Sequence, residues 1–167
     1  MRQAYNAVLD VRFSNEAAEP ITVASLKSWL KIDLNDDDFL LGKIIPAARL
    51  TIERYVNLSL VNRTVTAKIM NGLGGFVLPY GPVKTISTVT DFLGVSITNT
   101  IEWNILNEPF ADAKGIVTYE AGFERIPPNL EIALMQQCAY MYENRGDESA
   151  GDISPIIVSN LKTIRKI

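Results

Sequence analysis

Gly115–Arg145, GIVTYEAGFERIPPNLEIALMQQCAYMYENR, decides how this chain is read. An alternating, β-branched segment runs through Ala121-Gly122 into a helix opened by two prolines. Pro127 and Pro128 have no N–H to lose and a φ already near the helical value, so they suit a first turn and would break a later one. The spacing therefore predicts a helix from about Pro128. Leu130, Ala133, Leu134, Cys138 and Met141 form one apolar stripe, and Ile132, Met135, Ala139 and Tyr142 form a second beside it. Polar side chains keep to a ridge of Asn129, Gln136, Gln137, Glu143 and Asn144. A helix that is apolar on most of its circumference is buried on two sides. It is the core of its own domain, a share in a subunit interface, or both.

Working outward, 167 residues make one domain that can bury roughly 70% of its unfolded-chain surface, so no staple is required. The single cysteine, Cys138, has no partner in the chain and fits a reducing compartment. No leader pattern opens the chain, and no apolar run approaches the ~18 residues of a membrane span. The chain is expected to be soluble and not secreted. A formal charge of −3 argues against a nucleic-acid-binding surface, which needs clustered Lys and Arg to displace counterions. The densest basic cluster is Lys162, Arg165 and Lys166.

Residues 1–18 show no useful period and read as an arm that could swap onto a neighbour. Thr22 caps a first helix with Ile21 and Leu26 as its staple, and Val23, Leu26, Trp29 and Leu30 give a short buried face. Asn35 caps a second helix, with Leu34 stapled to Phe39 and Asp36, Asp37 and Asp38 in its first turn against the positive end of the dipole. Pro46 lies inside that helix, where a lost backbone bond costs ~3 kcal/mol, so a kink or a break is expected. From Val61 the period changes to two. VNRTVTAKI, FVLP, PVKTISTVTDFL, IEWNIL and GIVTYEAG are strand candidates for a small antiparallel sheet. A last helix opens on Ser154 and Pro155, with Ile153 and Val158 as its staple.

The motifs that could carry chemistry fail on their letters. Asp33, Asn35 and Asp37 fit three positions of a calcium loop, but Asp38 stands where glycine is needed and Ile44 where the bidentate glutamate belongs. Gly72, Gly74 and Gly75 lack the lysine and hydroxyl of a phosphate loop, so they read as a hairpin turn. The chain has no histidine, which excludes Ser-His-Asp and Cys-His nucleophiles and His-bearing zinc sites. Cys138 reads as a small hydrophobe. Glu120, Glu124 and Glu131 lie near the strand-to-helix turn without a spacing that demands acid/base work, and Arg145-Gly146-Asp147 reads as a coincidental tripeptide.

Three segments in this order resemble the tailed-phage head-tail connector (head-completion adaptor) family. They are ITVASLKSWLKIDLNDDDFLLGKIIPAARLTIERYV from Ile21, then Leu78-Pro79-Tyr80-Gly81-Pro82-Val83 with Ile86 and Val89, then Tyr119-Glu120-Ala121-Gly122 leading through Ile126-Pro127-Pro128 to Tyr142-Glu143-Asn144-Arg145. Leu161 and Arg165 answer to the family's closing pair, whereas Pro46, Ile164 and the arm depart from its pattern.

The resemblance implies an α+β fold, a mainly α-helical bundle with an inserted small antiparallel β-sheet. Residues 1–20 would be an N-terminal arm and 21–167 a single connector-like domain, with helices at about 22–31, 36–57, 128–144 and 155–165 and a β region at about 61–121. It also implies a non-enzymatic structural virion protein, without cofactor, metal or catalytic residues. Such a protein forms a cyclic homo-oligomer of twelve between the portal protein and a tail or stopper protein. It closes the filled head and lines a channel through which DNA passes without specific binding. Its place is the virion, and the host cytoplasm during assembly; no membrane is involved. The alternative is a monomeric soluble binding domain of unknown ligand.

Between the last two helices, Gly146–Asp152 is small, acidic and without apolar anchors. Limited proteolysis is expected to cut there first, and a first cut inside 61–121 would overturn the strand assignments.

Overall fold

The structure, a computed structural model, describes residues 6–71, 75–98, 101–102, 104–107, 110, 114–147 and 152–164. Contacts group the chain into two compact units. One comprises Met1–Ala17 and Val61–Glu124, and the other comprises Ala18–Leu60 and Arg125–Ile167.

The first unit is built on a four-stranded antiparallel sheet. Its strands are β1 (Asn6–Ser14), β2 (Arg63–Asn71), β4 (Val83–Asp91) and β7 (Lys114–Ala121), in the spatial order β1-β2-β7-β4. Three short strands, β3 (Phe76–Val77), β5 (Ile101–Glu102) and β6 (Ile105–Leu106), make a second sheet in the order β3-β6-β5. Strand alternation sends Val65, Ala67 and Ile69 of β2 and Val117, Tyr119 and Ala121 of β7 to one face. There they meet Phe76, Leu78, Leu106 and Phe110 in a core of their own. The opposite face carries the cross-strand pair Thr66–Thr118, whose hydroxyls lie 3.3 Å apart.

The expected mainly α-helical bundle with a small inserted sheet is thereby corrected. Strands of eight or nine residues form a sheet with a separate core, and one of them comes from the stretch read as an arm. That strand escaped notice for a physical reason. β1 is an edge strand whose register slips between Val8 and Asp10, so the bulge breaks the two-residue period that would have announced it.

Gly122 ends β7 at φ +112, and a Cβ there would lie 2.0 Å from the Val61 carbonyl oxygen. Only glycine permits both the backbone angle and the approach. Its N–H donates to the Pro82 carbonyl at 3.0 Å, and Tyr119 three residues earlier donates its buried hydroxyl to the Pro79 carbonyl. The two bonds tie the end of β7 to the Leu78–Val83 turn.

The second unit contains four helices: α1 (Val23–Leu30), α2 (Asp38–Val56), α3 (Pro128–Glu143) and α4 (Pro155–Ile164). Thr22 caps α1 reciprocally with Ser25, and Pro128 is the first residue of α3. α2 and α3 form the main packing pair, flanked by α1 and α4. Leu41, Ile52, Leu130, Leu134 and Cys138 are fully removed from solvent or nearly so. α2 runs on as one helix through Pro46 with one backbone donor fewer.

Several local expectations change. α2 begins at Asp38 rather than Asp36, and Asn35 accepts from Lys27 instead of capping it. Leu34 and Phe39 do not staple, being 70% and 81% exposed. Trp29 is 45% exposed, which leaves Leu26 as the fully buried side chain of α1. Gln137, expected on the polar ridge of α3, is buried. Its amide donates to the Asp152 carbonyl and accepts from the Ser154 N–H, each at 2.8 Å, and so docks the start of α4 on α3.

The most demanding group in this unit is Glu53, which has no exposed surface. It accepts from Arg49 Nη1 at 3.1 Å and from the Leu60 N–H at 2.7 Å, while Arg49 is also held by Glu19 at 2.9 and 3.0 Å. Arg49→Leu would leave a buried carboxylate without its counter-charge and is expected to cost about 3–5 kcal/mol. Glu19→Gln, at a half-exposed position, should cost well under half of that, and urea unfolding midpoints of the two variants check the order.

Candidate functional site

The acidic turn before α2 uses its side chains internally. Lys27 Nζ sits 2.6 Å from Asn35 Oδ1 and 2.8 Å from an Asp38 oxygen, and Tyr142 donates its hydroxyl to Asp37 at 2.5 Å. That bond to a carboxylate, with some desolvation, raises the Tyr142 pKa. Asn35 and Asp37 thus tie α1 and α3 to the turn, and Asp33 is exposed. Among the described residues no group of three or more His, Cys, Asp or Glu side chains could hold a metal ion.

Glu120 and Glu124 line one polar cleft of about 430 Å³ in the sheet unit, together with Asn15, Arg63, Thr64 and Lys84. Glu120 accepts from the Thr85 hydroxyl at 3.2 Å, and Glu124 faces Lys84 at 3.8 Å. Glu131 lies in the first turn of α3 and is not part of that cleft. The cleft carries both signs of charge, and the hydroxyl it brings to a carboxylate is that of Thr85.

Arg145, Gly146 and Asp147 follow α3, with Arg145 stacked 5.0 Å from the Tyr142 ring. The rest of the loop, 148–151, lies outside the described residues, as do Gly72 and Gly74 of the glycine turn and Arg165 and Lys166 of the basic cluster. Lys162 is exposed on α4. Among the described residues no helix is long and apolar enough to cross a membrane.

What the surface does offer is apolar. Asp91 builds a turn at the end of β4: its side chain accepts from the Leu93 and Val95 N–H groups at 2.9 and 2.8 Å, and its carbonyl accepts from Gly94 at 3.2 Å. The turn holds Phe92, Leu93 and Val95 out in solvent, Leu93 being 87% exposed. In the helical unit Trp29, Leu34, Phe39, Ile132 and Ile156 are exposed as well.

A family model for phage gp6-like head-tail connector proteins matches residues 20–164. The chain belongs to that family. Solved structures share this connector's fold over nearly its full length. The neck of an empty gene transfer agent particle computed with C6 symmetry gives a TM-score of 0.70 at 19% identity, covering 95% of this chain and 96% of that one. The neck of the native particle computed with C12 symmetry gives 0.65 at 20% identity, covering 93% and 96%. The virion of the native particle gives 0.63 at 18% identity, covering 95% and 94%. The connector matches no curated protein.

Membership favours a structural virion connector over the monomeric binding domain. The three segments that carried the resemblance now have physical roles. Tyr119 and Gly122 lock the end of β7, Pro127-Pro128 start α3, and Tyr142 reaches the acidic turn.

Cys138, on the buried stripe of α3, is fully enclosed, and burial, with a smaller contribution from Glu19, pushes its thiol up to about 12. A thiol pKa raised from 9.0 contributes stability that is complete below pH 9 and is lost as pH rises toward 12. The native connector is expected to resist a thiol reagent near neutral pH and to react stoichiometrically once unfolded in denaturant. Fast reaction without denaturant would contradict the burial.

Proposed function

We propose that this connector assembles as a closed ring of twelve identical copies between the portal protein and a tail or stopper protein, closing the DNA-filled head and forming part of the channel wall. The observation that carries this is the family match, which spans both units, and the C6 and C12 symmetry of the related neck structures supports the ring. In this reading residues 21–167 act as one connector module, and residues 1–20 are the segment that reaches toward a neighbour. Assembly takes place in the host cytoplasm before the ring joins the virion. No catalysis and no cofactor is involved.

A closed ring of identical copies needs two different faces per copy. The apolar turn at Phe92–Val95 and the exposed apolar side chains of α1, α3 and α4 supply surface for both. The charge pattern suits a bore through which DNA slides. Formal charge is −3, and five of the sixteen Lys and Arg side chains face carboxylates, at Arg12–Asp10, Lys27–Asp38, Arg49–Glu19, Arg63–Glu16 and Lys84–Glu124. Cations committed in this way are not free to replace phosphate counterions.

Sedimentation and electron microscopy, with and without the cognate portal, test the ring, and cyclic particles are the expected result. Fluorescence anisotropy with duplex DNA at physiological salt should show weak or no binding. A chain that stays monomeric under every condition and never joins portal would defeat this function.

A further inference from the structure

β1 stands apart from the rest of its sheet unit in connectivity. The other named strands of that unit lie within the continuous stretch Val61–Glu124, whereas β1 runs on through residues 15–22 into α1, which belongs to the helical unit. It is also an edge, pairing with β2 and with no other named strand. A strand at the edge of the order β1-β2-β7-β4 can leave its sheet without breaking the order of the other strands.

The tether itself is held by polar contacts. Asn15 at φ +53 turns the chain out of β1 and donates to the Thr64 hydroxyl at 3.3 Å. Glu16 pairs with Arg63 at 3.2 Å, the Ala17 N–H donates to the Asn62 carbonyl at 2.8 Å, and Glu19 pairs with Arg49 at 2.9 Å. Both guanidinium groups are buried, 0% and 4% exposed by side chain, while both carboxylates reach solvent at 39% and 32%. The arginines are therefore the enclosed half of each pair, and the glutamates on the tether are the half that water reaches. Residues 15–18 are exposed, whereas Ile21 at the α1 end of the tether is buried, so the chain can swing from its exposed first half with Ile21 left in its core.

β1 nevertheless carries a specific anchor. The Arg63 guanidinium lies 3.7 Å from the Phe13 ring centroid, and Phe13 meets Tyr80 edge-on at 4.9 Å. Val11 and Phe13 both pack on the sheet core. An extended tether over residues 15–22 spans at most about 29 Å. The same ladder, anchor and ion pair to Arg63 form equally well whichever copy supplies β1.

We infer that in the assembled ring β1 is exchanged, so that each copy's Asn6–Ser14 completes the sheet of the next. The inference rests on the ring proposed above. Exchange is directional, each copy giving one strand and receiving one, which is the head-to-tail relation that closes a ring. It links neighbours through main-chain hydrogen bonds and the Phe13 anchor without requiring a new surface. The occupant of the vacated β2 edge is a second copy of this chain.

The register supplies the test. Arg12 is opposite Thr66 and Asp10 is opposite Lys68, all outside the buried core. Arg12→Cys/Thr66→Cys and, separately, Asp10→Cys/Lys68→Cys are made in the full chain, whose own Cys138 is buried. Circular dichroism checks the fold. The assembled rings are oxidised and run on a denaturing, non-reducing gel beside each single-cysteine control.

Exchange predicts a covalent ladder of dimers, trimers and higher species in the double variants that is absent from the controls. Assembled rings that yield only internally crosslinked monomers would overturn exchange and leave the ring standing. Thiols that stay free in both folded, assembled double variants would overturn it too, because adjacency of these pairs holds wherever β1 occupies its register. Failure of the wild-type chain to assemble at all would remove the ring and the exchange together.

Discussion

A carboxylate with no access to water needs its partners in place before the residues around it can settle, and Glu53 is such a group. Its two acceptor bonds run to Arg49 one turn earlier on α2 and to the Leu60 N–H where the chain leaves the helical unit. The first bond commits the buried face of α2, because Arg49 can reach Glu53 only from the side that also carries Ala48 and Ile52. The second fixes the path of the chain at Leu60, where the helical unit ends its first segment. Glu19, bonded to the same arginine, fixes the entry path at the other end of the segment. One ion cluster thus sets where α2 faces and where the chain enters and leaves it.

The helical half was largely legible in the sequence because its signals are local. Prolines at the start of α3, the Thr22 cap and the three-to-four spacing of apolar side chains each act within a turn or two. The misses share a physical cause. Gln137, read as part of the polar ridge, and Arg49 are polar side chains that are buried, and only distant partners, the Ser154 and Asp152 backbone for one and Glu19 for the other, make that possible. The apolar side chains of Leu34 and Phe39 err the other way, matching a staple pattern with nothing to close on. β1 was illegible because strand identity lies in its partner, and a bulge at an edge erases even the alternation.

Function was legible only as resemblance. No chemistry singles out a residue, and Glu120, Glu124 and Glu131, the nearest to a candidate set, are partly engaged and partly dispersed. What the sequence does carry is a set of structural constraints with unusual side chains at fixed places: a glycine that touches a carbonyl, a tyrosine whose hydroxyl must find one, and a proline pair at a helix start. Each is a weak signal because any fold can use it. Their order is informative because one topology needs all of them. The exposed apolar side chains, held by the Asp91 turn and by the four helices, follow no motif, since contact with another protein asks for shape and apolar area rather than for particular letters.

The interleaving of the two units bears on how a ribosome makes this chain. The sheet unit is complete in sequence once Glu124 has been synthesised, but the helical unit lacks half its elements until α3 and α4 follow. During translation α1 and α2 must therefore wait with Leu26, Leu41 and Ile52 uncovered, while the sheet behind them can already close. Vectorial synthesis thus imposes an order in which the helical half is always last. Any partner that recognises the finished helical surface is thereby prevented from engaging a nascent chain.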